Sequence, residues 1–128
     1  MNGHSDIKFA ELSTEALAYL GDSVIELCTR DMLVCRGISN SKKLNIEALN
    51  YVRATTQAAA MREILGILTE EELAIYKRGR NIGHTNTPKS SSVGEYRSAT
   101  GMEALFGYLY LKDNNTRINE LFKTAYKI

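Results

Sequence analysis

The chain has 128 residues, a length that fits one domain and suffices to bury a continuous apolar core. Its composition is that of an ordinary globular protein, with 44% hydrophobic and 24% charged residues. The formal net charge of +1 excludes the strongly basic balance of many nucleic-acid-binding proteins, so any such function must come from where the charges lie.

The sequence also bears on the compartment. No apolar run approaches the ~20 residues that span a bilayer, and the first ten residues contain His, Asp and Lys rather than an apolar signal core. Cys28 and Cys35 lie seven residues apart on one predicted helix, about 10 Å along its axis, which is too far for a disulfide. We therefore expect a cytoplasmic protein without membrane contact, whose two thiols are reduced and mostly buried.

The first predicted helix covers residues 15–35. Ser13 and Thr14 are suitable N-caps, Gly37 is a suitable stop, and residues 1–12 are expected to be flexible. Apolar residues recur at spacings of three and four around much of the circumference, as in a central helix. These residues are Leu17, Leu20, Val24, Leu27, Cys28 and Met32.

A second helix is predicted over residues 43–65, where an alanine run adds helix propensity and Gly66 ends the pattern. Thr69 and Glu72 then form a capping-box pattern that opens a short helix. The continuation of this short helix at residues 77–81 is basic and begins to break.

A loop is predicted over about residues 79–98, because Gly83, Pro88, the serines at 90–92 and Gly94 interrupt all apolar periodicity. So long a loop in a compact domain usually has a function or is disordered. A helix from near Ala99 to residue 111, a polar turn at 112–115 and a final amphipathic helix complete the chain. We see no repeat and no domain boundary, and expect a single domain over residues 1–128.

Two acidic residues, Asp22 and Glu103, interrupt apolar stretches. Gly21 precedes Asp22 and Gly107 follows Glu103 by one turn, and each glycine costs a helix interior about 1 kcal/mol relative to alanine. A close helix crossing at these glycines would explain both and would bring the carboxylates together. Paired carboxylates without Cys or His indicate a hard cation, Mg²⁺ first. The alternative, in which a nearby arginine or helix N-terminus satisfies each carboxylate, has equal weight on spacing alone.

A basic segment near the predicted loop supplies the third candidate feature. Its donors could bind phosphates or ribose hydroxyls, although a charge run is more often a solvated surface, and the acids at 70–72 could pair with it. Neither His4 nor His84 has an evident nucleophile or orienting acid, so we expect neither to be catalytic. The basic residues are Lys77, Arg78, Arg80, Lys89 and Arg97, with Glu95 as the one acid among them.

Two motifs resemble the ribonuclease III catalytic domain. Residues 16–26 (ALAYLGDSVIE) resemble its signature helix with the Leu-Gly-Asp core, and residues 100–111 (TGMEALFGYLYL) resemble its second acidic helix with Glu-Ala-Leu-x-Gly. The segments YKRGRN, PK and YRSAT between them are similar to the Mini-ribonuclease III subfamily, which lacks a double-stranded-RNA-binding domain. The resemblance extends from about Ser13 to Tyr126.

The resemblance implies an all-α, homodimeric ribonuclease III endonuclease-domain helical bundle. Asp22 and Glu103 match two acidic residues of the family's active site, which serve as its catalytic metal ligands. Ala18 and Thr100 stand where that site usually has two more carboxylates. The resemblance implies that the subfamily also lacks these acids, which leaves the number of metal ions open. Glu26 is then a candidate outer-sphere helper, and Glu15 a candidate for the dimer interface.

The activity implied is an Mg²⁺-dependent endoribonuclease, with Mn²⁺ as a substitute, that cuts double-stranded RNA and leaves 5′-phosphomonoesters. The implied substrate is the precursor of 23S ribosomal RNA, with a helper ribosomal protein left open. RNA-binding candidates are Arg78, Arg80, Asn81 and Lys89. Two alternatives stand beside this reading: a catalytically inactive RNA-binding module of the same fold, and a helical protein-interaction domain.

Overall fold

The computed structural model describes His4, residues 7–82 and residues 92–128, and every regular element within these ranges is a helix. This confirms the all-α class, and none of these helices is long and apolar enough to cross a membrane. The α-helices are α1 (Thr14–Cys35), α2 (Ser41–Val52), α3 (Ala54–Ile64), α4 (Glu70–Arg80), α5 (Val93–Leu111) and α6 (Asn115–Ala125). Short 3-10 helices lie at Phe9–Glu11 and Leu65–Ile67.

Helix α1 begins and ends close to the predicted residues. The Ser13 hydroxyl accepts a hydrogen bond from the Ala16 N–H at 3.0 Å, and Gly37 follows the helix with a φ of 88°. Both cysteines are free thiols, but only Cys28 is partly buried. The expectation of two mostly buried thiols is therefore wrong for Cys35, which is exposed at the end of α1.

The single helix predicted over residues 43–65 is wrong. Arg53, with φ −68° and ψ 147°, is extended and separates α2 from α3. Helix α2 packs on α1 and buries no residue fully, whereas α3 packs on α5 and α6 and buries Ala58, Met61 and Ile64. The change of direction at Arg53 lets two consecutive helices reach different partners, so tertiary packing overrides helix propensity here.

The predicted loop is also too long. Helix α4, opened by the predicted capping box of Thr69 and Glu72, continues to its last residue at 80, and α5 begins at Val93 rather than near Ala99. A second capping box fixes this start. The Ser92 hydroxyl accepts from the Glu95 N–H at 3.1 Å, and the Glu95 carboxylate accepts from the Ser92 N–H at 2.9 Å.

Helix α5 is the centre of the fold. All of residues 99–109 except Glu103 are buried, and α5 contacts α1, α3, α4 and α6. A Cβ atom added at Gly21 would lie 1.6 Å from the Glu103 carbonyl oxygen, and one added at Gly107 would lie 2.0 Å from the Leu17 carbonyl oxygen. The backbones of α1 and α5 therefore touch where the two glycines meet, which is the close crossing that the sequence indicated.

The start of the chain, expected to be flexible over residues 1–12, contacts the C-terminal end of α5 where it is described. The Phe9 ring meets the Tyr108 ring edge to face at 5.3 Å, and the Lys112 ammonium lies 5.2 Å from the Phe9 ring centroid. The His4 imidazole lies 2.8 Å from the Asp113 carboxylate.

One partly buried ion pair joins α4 to α6. The Arg117 guanidinium donates to both carboxylate oxygens of Glu72, at 2.9 and 2.8 Å, and also to the Ile67 carbonyl at 2.7 Å. Arg117 additionally pairs with Glu120. The Arg117 hydrogen bond is the main reason that the pKa of Glu72 lies below its usual range. The pair therefore stabilises the fold at neutral pH and loses this contribution as the pH falls below about 4.5.

We expect Glu72→Gln to lower the free energy of unfolding by about 3 kcal/mol, because it leaves the mostly buried Arg117 side chain without its main counter-charge. The neighbouring Glu71 is the matched control. It forms only an exposed contact with Lys112 at 3.8 Å, so Glu71→Gln should change stability by less than about 0.5 kcal/mol. Urea denaturation of both variants measures the difference, and equal midpoints would contradict this account of the pair.

Candidate active site

An open cleft of about 560 Å³ lies in the groove between α1 and α5, beside their backbone crossing. On α1 each lining residue has another one three or four positions away, which places them on one stripe of the helix. The same spacing holds on α5. The cleft is lined by Glu15, Ala18, Tyr19 and Asp22 of α1, by Tyr96, Thr100 and Glu103 of α5, and by Ile82 after α4.

The two predicted carboxylates meet in this cleft. Asp22 is exposed and Glu103 is half-buried, and both line the cleft. Burial, then hydrogen bonding to Asp22 and the negative charge of Asp22, raise the pKa of Glu103 to about 8. Within the described ranges neither carboxylate pairs with a basic side chain, so the alternative of a neighbouring arginine for each is not what the structure shows.

The positions of the family's other two carboxylates also face the cleft. Ala18 and Thr100 are both buried, and the Thr100 hydroxyl donates to the Tyr96 carbonyl at 3.0 Å, so it is already satisfied by its own helix. Glu15 lines the same cleft, although the resemblance suggested a role at the dimer interface. No group of three or more His, Cys, Asp or Glu side chains in the described part of the chain is close enough to hold a metal together.

Glu26 is not among the residues that line the cleft. Its carboxylate accepts from Arg30 at 2.7 Å, one turn further along α1. The candidate role of Glu26 as an outer-sphere helper therefore receives no support from its position.

The predicted RNA-binding residues lie at the end of α4. Arg78 is exposed, Arg80 is half-buried as the last residue of the helix, and Asn81 caps it. Ile82, the next residue, already lines the cleft. Lys89 lies outside the described residues. The acids at 70–72 do not neutralise this end of α4, because Glu71 and Glu72 pair with Lys112 and Arg117 instead.

Three aromatic residues near the cleft were missed as site residues at the sequence level. Tyr19 is 84% exposed on the cleft stripe, three residues before Asp22, and this spacing was a signal that the sequence contained. Tyr96 entered the predicted loop, and only the helical start of α5 shows that it shares a face with Glu103. Tyr76 is buried, and the Arg80 guanidinium lies 5.8 Å from its ring centroid.

The raised pKa of Glu103 predicts a pH-dependent stability for the metal-free protein. Because the folded chain holds a proton on Glu103 up to about pH 8, whereas the unfolded chain releases it near 4.5, this stabilisation is complete at low pH. It is lost as the pH rises through about 8. Glu103→Gln mimics the protonated carboxyl. Between about pH 4.5 and pH 8 we therefore expect the melting temperature of this variant to fall less than that of the unchanged protein. Thermal melts with a chelator test this, and parallel pH profiles would contradict it.

Residues 15–114 of the chain match the family described as Ribonuclease III domain. The chain is 43% identical over 109 residues to Mini-ribonuclease 3 of Symbiobacterium thermophilum, which covers 85% of this chain and 84% of the relative. It is 41% identical over 121 residues to Mini-ribonuclease 3 of Enterococcus faecalis, covering 93% and 92%. A crystal structure of a protein from Fusobacterium nucleatum has a TM-score of 0.82 at 33% identity, covering 91% of this chain and 93% of that one.

The helical fold and the matched residues define a ribonuclease III catalytic domain, and thus an endoribonuclease. The relatives narrow the assignment, because they match over most of both chains at well above 30% identity. The chain belongs to the Mini-ribonuclease III family.

Proposed function

We propose that the chain is an Mg²⁺-dependent endoribonuclease that cuts double-stranded RNA, with Asp22 and Glu103 as its catalytic metal ligands. The observation that supports this proposal is the pair of carboxylates in one open cleft, with no basic partner among the described residues. Two adjacent carboxylates are unfavourable unless a proton or a cation lies between them. A divalent cation bound to both carboxylates would offset this cost.

The donor set fits a hard divalent ion. Asp22 and Glu103 offer carboxylate oxygens, which Mg²⁺ prefers and Mn²⁺ accepts as well. Bound there, the metal would supply a Lewis acid and an activated water for attack on a phosphodiester. The small side chains of Ala18 and Thr100 leave room beside the carboxylates, which water and RNA phosphate oxygens would fill.

The residues at the end of α4 are proposed to bind the RNA backbone. Arg78, Arg80 and Asn81 directly precede a cleft residue, and Lys89 is proposed as a fourth contact. These side chains donate to phosphates and 2′-hydroxyls, so recognition would follow the A-form shape of the duplex more than its sequence. Cleavage would leave a 5′-phosphate and a 3′-hydroxyl.

A homodimer is part of this proposal. Tyr19 and Leu27 are exposed by 84% and 58% on α1, and Leu27 also lines a mostly apolar groove with Leu20, Val24 and Ile118. Exposed apolar side chains next to such a groove are typical of a protein interface. A two-fold axis would place two clefts across one duplex, one for each strand. Sedimentation of the purified chain would test the dimer.

The physiological substrate that we propose is the precursor of large-subunit (23S) ribosomal RNA, processed in the cytoplasm. This assignment rests on the family resemblance alone. Cleavage of that precursor with and without added ribosomal proteins would test both the substrate and the need for a helper protein.

The test of the activity is incubation of the purified protein with a blunt-ended RNA duplex. We expect cleavage to 5′-phosphorylated products in Mg²⁺ or Mn²⁺, none in excess chelator, and recovery when Mg²⁺ is restored. Binding without cleavage would favour the alternative of an inactive RNA-binding module, which the absence of acids at Ala18 and Thr100 suggests. A lack of salt-dependent affinity for the duplex would favour the protein-interaction domain instead.

A further inference from the structure

The Tyr76 ring is fixed to α5 at two points. Tyr76 is only 4% exposed, and a Cβ atom added at Gly101 would lie 2.7 Å from the ring, so the ring lies directly on the α5 backbone. Its phenol oxygen is 3.1 Å from the Ser98 hydroxyl, within hydrogen-bond distance. Ser98 lies between Tyr96 and Thr100, both of which line the cleft. The ring is thus anchored to the part of α5 that forms the cleft wall.

Arg80 lies one helical turn after Tyr76 and rests on this anchored ring. Its guanidinium carbon is 5.8 Å from the ring centroid, a distance at which a cation is attracted to the aromatic face. Arg80 is half-buried, yet no carboxylate in the described ranges pairs with it. Within those ranges the Arg80 guanidinium donates only to the side chain of Asn81, at a long 3.5 Å.

Arg117 shows what a structural arginine in this fold looks like. Its guanidinium donates to Glu72, Glu120 and the Ile67 carbonyl, and these acceptors occupy most of its N–H groups. Arg80 is different, because a ring holds it in place while most of its donors have no acceptor in the described ranges. Holding an arginine before it binds reduces the side-chain entropy that binding would otherwise cost.

We infer that Tyr76 is a positioning residue, whose ring holds the Arg80 guanidinium at the edge of the cleft to bind a phosphate of the RNA duplex. This inference rests on the proposed function and adds a residue to it. Arg78 is exposed, and no aromatic ring among the described residues holds its guanidinium in place before the duplex binds.

The test is a double-mutant cycle on binding of a blunt-ended RNA duplex, with every protein also carrying Asp22→Asn to prevent cleavage. We expect Tyr76→Leu to weaken binding about fivefold, the size of a partly desolvated cation–π contact. It should also reduce the salt dependence by about one phosphate contact. In an Arg80→Ala background, Tyr76→Leu should have no further effect. Tyr76→Phe is the matched control, since it loses the bond to Ser98 but keeps the ring and its contact at Gly101, and it should change binding by no more than about twofold.

Equal weakening by Tyr76→Leu with and without the Arg80 side chain would overturn the inference, because the ring would then act through the fold alone. A second measurement needs no variant at position 76. In the NMR spectrum of the unchanged protein, the Arg80 Nε–H should be more ordered on the picosecond-to-nanosecond timescale than the Arg78 Nε–H, and equal mobility would also overturn it.

Failure of the proposed function can be recognised separately. If the unchanged protein neither binds nor cuts the duplex, the proposed function is wrong, regardless of how ordered the Arg80 Nε–H is in the NMR measurement. If it cuts the duplex but the cycle shows no coupling, only the role of Tyr76 is wrong.

Discussion

Asp22→Asn and Glu103→Gln should each reduce the rate of duplex cleavage by about a thousandfold or more, which corresponds to about 4 kcal/mol of lost transition-state stabilisation. Each substitution removes one of the two carboxylates that meet in the cleft, and no third acidic side chain is close enough to replace it within the described ranges. The measurement is the single-turnover rate on an RNA duplex at saturating Mg²⁺.

The same substitutions should leave the fold intact, and Glu103→Gln should make the metal-free protein more resistant to heat at neutral pH, because burial and the nearby Asp22 disfavour an ionised Glu103. Glu26→Gln is the matched control. Glu26 lies on α1 one turn after Asp22, but it pairs with Arg30 and does not line the cleft. The cleavage rate of Glu26→Gln should therefore stay within about twofold of the rate of the unchanged protein. Cleavage by Asp22→Asn at the original rate would end the proposal that Asp22 binds the metal.

Gly21→Ala should destabilise the protein by about 3 kcal/mol or more and abolish cleavage. The new Cβ would lie 1.6 Å from the Glu103 carbonyl oxygen, which is backbone and cannot turn aside, so α1 and α5 must separate. Their separation would also move the carboxylates of Asp22 and Glu103 apart. Urea denaturation and the cleavage rate measure the two effects.

Gly94→Ala provides the control for the effect of removing a helical glycine. Gly94 lies in the first turn of α5, and an added Cβ would have its nearest neighbour at 4.0 Å. Since alanine favours helix, this variant should be more stable by up to about 1 kcal/mol. A Gly21→Ala protein with an unchanged denaturation midpoint would show that the crossing can adapt.

The sequence revealed the parts of the site that break a local rule. Asp22 and Glu103 in apolar stretches, and glycines inside two helices, cost free energy locally and so indicated a tertiary reason. The resemblance then assigned roles to the carboxylates, which remain proposals. The start of α5 could also have been predicted, because Ser92 and Glu95 have capping-box spacing. The run of serines instead indicated a loop.

Other features depend on packing and could not be read from local sequence. The break at Arg53 has no Gly or Pro, and it exists because α2 and α3 pack on different helices. The position of Glu26 away from the cleft follows from the rotation of α1 about its axis. The contact of Arg80 with Tyr76 follows helical spacing, but the anchoring of the ring by Gly101 and Ser98 needs the α4–α5 packing.

The contact between main chains at Gly21 and Gly107 has a consequence for attempts to engineer this protein. Rigid peptide groups, rather than deformable side chains, determine how far apart the two acidic helices stand. Substitutions in the interior at Met102 or Leu105, chosen for heat resistance, should therefore leave the spacing between the two acids almost unchanged. Directed improvement of the core and redesign of the catalytic cleft can accordingly proceed as separable problems.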